Sequence, residues 1–534
     1  MSVQVVSPVA SGTATQASMT PRPATLEGAT LGVLINGKEY SEQVLRRIAA
    51  HLQARHGVKD VLFWDKHFPA VPAPESFLEE IRAQCTVAVA GVGHCGASTT
   101  NSVIDCLALE ERGVPSVVML SDHFAPVGRA IAAQRGLPGV AIAQVSHPLG
   151  DPDPAKVDAK ADAATDGLVW HLLNLQPEVA QGTPAASGGL VDIPDSAAEA
   201  FDLLSEMGWT DGLPVIPPAA ALVDAAVRAA GRDPEEIIAL IPPLKGAATV
   251  HSVAANAVMA GCRPEYLPVV LAAVDAVSDE RYGLVHRQIT THAGAPLIIV
   301  NGPIAKSLGL NGSTGCFGPG WRANSTIGRA LRLVLQNVGG AIPGVTDMSQ
   351  HAHPGKYTYC IAEDEDANPW TPLHVERGFN RQQNVVTVVN AEAPHSATDN
   401  VTASARQTLT TCASVFATLG SNNLYSQGEP VLALGREHAA SIAAEGWSKL
   451  DVKTYIFEIA RQPWKLVRGR GKSIGPNWPK WLDHAEDDDR VPVVTNPDDL
   501  IVVVCGGAGG KSMVIPTAGA QSLSATREIQ LPAV

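Results

Sequence analysis

The apolar residues of the N-terminal part fall into short continuous runs, each followed by a stretch with helical spacing. Leu31 to Ile35 predicts a strand and Ser41 to Arg55 a helix. Asp60 to Trp64 and Pro74 to Ala83 repeat the pair, and Thr86 to Ala90 leads into a helix over Ser98 to Glu111. Ser116 to Leu120 precedes a helix over Pro126 to Arg135, and a last strand around Val140 to Val145 precedes one over Pro154 to Leu175. Unbroken apolar runs suit strands buried on both faces, so the alternation predicts a mostly parallel sheet with helices on each side. This is a flavodoxin-like or Rossmann-like α/β layer sandwich. Such a sheet gathers the residues just past its strands along one edge: Asn36 and Lys38, Asp65 and Lys66, Cys95 to Thr99, Ser121 to His123, and Ser146 to Gly150.

Beyond this block the rhythm loosens. Residues 1–28, rich in Ser, Thr, Ala and Pro, read as a flexible tail with neither a secretory signal nor a transit peptide. Residues 29–175 form the α/β domain and 176–190 a linker. Residues 191–534 form a larger, irregular α/β (α+β) domain expected to carry the substrate pocket. Its clearest elements are helices over Ser196 to Met207, Ala220 to Ala230 and Ala254 to Val277, and a strand over Leu297 to Val300.

A net charge of −14 argues against a polyanionic partner, so nucleic acid is not expected. With 45% hydrophobic and 17% charged residues the chain can bury large cores, and it has no apolar run of the ~18 residues that suggest a membrane span. Its 534 residues exceed what one core usually organises. Eight cysteines without CxxC pairs read as reduced thiols in a cytoplasmic protein, and their spacing excludes a zinc ribbon. A homo-oligomer is expected.

The segment Gly91-Val92-Gly93-His94-Cys95-Gly96-Ala97-Ser98-Thr99-Thr100-Asn101 places Cys95 between a buried strand and the start of a helix. The helix dipole and free N–H groups there favour thiolate over thiol. Lys66, His123 and His147, expected on the same edge, are candidates to tune the thiol or carry a proton. Asn36, Ser98 and Thr99 are candidates to hold the substrate. In the second domain a glycine-rich stretch from Gly312 to Trp321 contains Cys316 and leads to Arg322, a candidate carboxylate partner. A purely structural loop is as good a reading of that stretch. His351 and His353 form an HxH pair, which on a strand puts both imidazoles on one face, as Zn or Fe ligands require. No third ligand is evident, and no cofactor is expected. Cys505 to Ser512 lacks the first glycine and the following helix of a phosphate loop, and reads as a site-lining loop.

The stretch Cys95-Gly96-Ala97-Ser98-Thr99, with Ser102 to Asp105, Leu109-Glu110, Gly113-Val114-Pro115 and His147 to Gly150, resembles the UGSC family, named for a Sec-Gly-Ser-Cys tetrad. It is also similar to the selenocysteine region of the glycine reductase B component. The resemblance covers roughly residues 29–175 and implies that Cys95 stands at the selenocysteine position as nucleophile. Ser98 replaces the second cysteine of the tetrad, so a disulfide within it cannot form.

Three function classes follow. The first is a thiol-dependent oxidoreductase acting on a small metabolite through Cys95, with a thiol reductant. The second is a thiol-dependent lyase, hydrolase or transferase that forms a covalent Cys95 adduct without net redox change. A redox-sensing or binding protein is a third, weaker reading.

Overall fold

A computed structural model describes residues 2–10, 19–69, 71–137, 139–174, 189–401, 404–468, 480–517 and 522–532. After β1 (Ser2–Val6) the N-terminal domain runs β2 (Thr30–Ile35), α1 (Ser41–His56), β3 (Asp60–Asp65), α2 (Glu75–Gln84), β4 (Val87–Gly93) and α3 (Gly96–Glu111). It continues with β5 (Ser116–Ser121), α4 (Ala125–Gln134), β6 (Ile142–Val145) and α5 (Pro154–Asn174). The expected elements form within a few residues of their predicted ends; the central strands β4 and β5 are buried throughout, as their unbroken apolar runs require, while the edge strand β3 is only partly buried.

All neighbours in this sheet are parallel, in the order β3-β2-β4-β5-β6. That is the flavodoxin-like order, in which the chain reverses direction across the sheet between β2 and β4 and leaves a crevice there at the strands' carboxyl ends. Its core joins Leu31, Val33 and Ile48 to Val89, Leu109, Val117 and Leu168.

The segment read as a tail is part of the fold where it is described. β1 pairs antiparallel with β7 (Leu190–Pro194), and Val5 and Val6 enter the second domain's core beside Ile193 and Leu204. Met19 and Leu26 join the first core. Between them Thr20 N and Arg22 Nη1 donate to Glu110 at 2.7 and 2.8 Å. The alternation in Val3-Gln4-Val5 and the need of a buried carboxylate for donors override the Ser/Thr/Pro composition. The expected linker lies outside the described residues up to 188, and its last residue already begins β7.

The second domain contains two four-stranded mixed sheets. One orders Cys360–Ala362, Ala295–Asn301, Val385–Ala391 and Ala525–Glu528; the other orders His395–Thr398, Lys511–Ile515, Val431–Leu434 and Ile501–Val504. Leu297, Ile299 and Val389 of the first share a core with Val431, Val503 and Ile515 of the second. The helix expected over Ala254 to Val277 is two helices, Val250–Ala260 and Leu267–Val277. Gly261, at φ +91°, caps the first, and Pro264 starts a new turn. No helix among the described residues is long and apolar enough to cross a membrane.

Candidate active site

Cys95 is the N-cap of α3, half-buried, in extended conformation at the crevice between β2 and β4. Its backbone N–H donates to Ser98 Oγ at 3.2 Å, and its Sγ lies 3.1 Å from the same hydroxyl. Ser98 also accepts from His94 N at 3.1 Å and is fully buried. One serine therefore ties the turn together and supplies the first polar contact to the sulfur. The Thr99 N–H donates to the Cys95 carbonyl at 2.9 Å, and its buried hydroxyl packs against the end of β4 at Gly93.

Lys38 is the cation beside the sulfur. Burial disfavours its ammonium, but attraction to Cys95 and Glu39 outweighs this and raises its pKa. Asn36, at the end of β2, places it: its Oδ1 accepts from Lys38 N at 3.0 Å, while its Nδ2 donates to Val92 O and Ser102 Oγ at 2.9 and 3.1 Å. Asn36 is thus a buried clamp between β2, β4 and α3, with its amide committed to protein partners.

Lys66, expected in the same role, is elsewhere occupied. Its Nζ donates to Asp105 Oδ2 at 2.5 Å and to Val71 O at 2.8 Å, and both side chains of the pair are buried. The reason is strand order: Lys66 follows β3, the outermost strand, whereas Lys38 follows β2, the neighbour of β4.

His147 and His123 stand exposed past β6 and β5, with ring centroids 5.2 Å apart, and His147 Nδ1 is 3.2 Å from Ser121 Oγ. His94, unassigned from sequence, is close enough to both Lys38 and His147 to feel their charges. Burial, then the charges of Lys38 and His147, lowers its pKa to about 4, and its Nε2 is 3.1 Å from the Glu39 carbonyl. It is a neutral imidazole at physiological pH.

The second domain closes over this edge. A Cβ on Gly96 would stand 2.1 Å from the Ile289 carbonyl oxygen and 3.2 Å from Met348 Cβ, so only glycine admits that approach. Phe68 meets His286 edge to face at 6.5 Å, and burial pulls the His286 pKa down to about 3. Both depressed histidines make stability fall on acidification. The unfolded chain takes up protons below about pH 6.5, whereas the folded chain resists until pH 4 or below, so stability rises with pH through that window. At pH 4.5 we expect a loss of about 2–3 kcal/mol for each histidine. Thermal midpoints measured from pH 7 to 4.5 should fall less steeply for His94→Gln/His286→Gln than for the wild type; parallel curves would refute the assignment.

The remaining expected residues are not part of this constellation. Arg322, exposed, donates to Gly261 O at 3.0 Å beside a separate groove lined by Leu222, Cys262 and Pro264. Cys316 is buried and accepts a hydrogen bond from the Cys505 thiol, which lowers its pKa and raises that of Cys505. The HxH pair is not on a strand. Ala352 has φ +55°, His353 Nδ1 accepts from Gly355 N at 3.1 Å, and its Nε2 faces Ala391 O at 3.3 Å, so the geometry behind a His351/His353 metal site is not met. Among the described residues no group of three His, Cys, Asp or Glu side chains is arranged to hold a metal ion.

No curated protein matches the chain. Residues 4–174, the stretch that contains Cys95, its Ser98 partner, Lys38 and the parallel sheet, match the UGSC family.

Proposed function

We propose that the chain is a thiol-dependent enzyme that acts on a small molecule, with the Cys95 thiolate as nucleophile. The observation that carries this reading is the half-buried sulfur at a helix start in the sheet's switch-point crevice, with Ser98 Oγ 3.1 Å away and the Lys38 ammonium beside it. The Lys38 ammonium lies beside the sulfur, His147 and His123 stand exposed on the same edge, where a substrate would meet them, and the second domain covers the edge.

Cys85 lies at the opposite end of β4, Cys106 lies in the buried interior of α3, and Cys316 pairs with Cys505. This supports a covalent adduct released by water or a second substrate, as in a lyase, hydrolase or transferase. The oxidoreductase alternative requires an external thiol as electron donor. All eight cysteines are free, as a reducing, cytoplasmic setting would keep them.

The test is intact-mass and peptide mapping after incubation with a metabolite extract. An adduct on Cys95, absent in Cys95→Ala, is expected, and an adduct on another residue alone would refute the reading. Ser98→Cys places a second thiol one helical turn from Cys95 and should form a disulfide under mild oxidation, blocking Cys95 until dithiothreitol is added. Turnover in the absence of any reductant would exclude the oxidoreductase alternative.

A further inference from the structure

A small cavity of about 30 Å³ lies in the second domain, lined by Arg287, Arg332, Lys356, Asp347, Gln288 and Asn390 among others. Three cationic side chains therefore face it against one carboxylate. Asp347 bridges two of them, accepting from Lys356 Nζ at 2.7 and 2.8 Å and from Arg332 Nη1 at 3.2 Å. Burial lowers the Arg287 pKa to about 10, which leaves it charged at neutral pH.

Asn390 is 3% exposed, and neither its Oδ1 nor its Nδ2 has a hydrogen-bond partner. Gln288 is 4% exposed; its Nε2 is fixed on the Pro242 carbonyl, so the unpartnered Oε1 is the atom left for a ligand. Buried amides without partners are costly, and a cationic cavity bordered by them offers a ligand both charge and unused hydrogen-bonding groups.

The cavity adjoins the Cys95 turn. Ile289 and Met348, which follow Gln288 and Asp347 in the chain, are the two residues against Gly96. We infer that this cavity is a carboxylate-binding subsite, and that its ligand carries a hydroxyl or amine donor on the carbon next to the carboxylate. The cations hold the carboxylate, and the donor satisfies Gln288 Oε1 and Asn390 Oδ1. The space, about that of two water molecules, admits the carboxylate head of such a ligand. The inference rests on the Cys95 reading only for where the reacting end of the substrate points.

Calorimetric titration of the full chain with glycolate, acetate and inorganic phosphate at constant ionic strength tests it. Glycolate should bind about tenfold tighter than acetate, the gain from satisfying one buried acceptor. The same affinities should hold in Cys95→Ala, so the subsite stands or falls separately from the nucleophile. Asn390→Asp sets the protein's own carboxylate among the same cations and should weaken glycolate at least tenfold. Lys356→Met removes one cation and should do the same, which keeps the test open if the first variant does not fold. Absence of saturable glycolate binding, undiminished binding in the folded variants, or a preference for phosphate would overturn the subsite.

Discussion

Iodoacetamide at neutral pH alkylates Cys95 before any other thiol of the chain. Alkylation needs thiolate and access, and the other seven cysteines lack one or both. Burial pushes Cys85 up to about 11, and Cys262 and Cys412 up to about 12. It also raises Cys106 and Cys360 strongly. At neutral pH each of these thiols therefore holds at least about a hundredfold less thiolate than a thiol at its ordinary value. In the hydrogen-bonded pair, the neighbouring sulfur and burial raise Cys505, and Cys316, though lowered by the hydrogen bond from Cys505, is 4% exposed. Cys95 is half-buried at the crevice with Lys38 beside it. Peptide mapping after brief labelling should find Cys95 modified first, and Lys38→Met, which removes the cation beside the sulfur, should slow that reaction about three- to tenfold. First modification of Cys316 or Cys505 would move the reactive centre to the second domain.

Lys66→Met should destabilise the N-terminal domain by about 3–5 kcal/mol, the usual cost of leaving one partner of a buried ion pair uncompensated. The pair with Asp105 is sealed from water, with side-chain exposures of 0% and 1%. Asp105 also accepts from Ala73 N at 2.7 Å, so the pair pins the segment between β3 and α2 onto α3. Denaturant titration should show an earlier midpoint with an unchanged slope, and Lys66→Met/Asp105→Leu should recover part of the loss. Stability within about 1 kcal/mol of the wild type would contradict a structural role. Lys38→Met should leave the midpoint nearly unchanged, because Lys38 is half-buried and paired at the surface with Glu39.

These two lysines show where reading the chain succeeds and where it stops. Both sit just past an apolar run, and local pattern treats them alike. Which strand lies beside β4 is set by long-range packing of crossover helices, and that order puts Lys38 next to Cys95 and Lys66 against Asp105. The same limit explains Arg287, Arg332 and Lys356, which lie far apart in the chain on different elements and carry no common spacing. It also explains β1, whose short alternation becomes a strand only because β7, nearly two hundred residues later, offers it an edge.

The alternation of strands and helices, the parallel sheet and the place of Cys95 at a helix start are legible in local pattern, because strand burial and helix starts are written in neighbouring residues. The cation beside the sulfur, the clamp made by Asn36, the neutral His94 and the approach of Ile289 to Gly96 arise from long-range packing. Charge pairing and desolvation depend on distances between residues remote in the chain, and those distances exist only once it has folded.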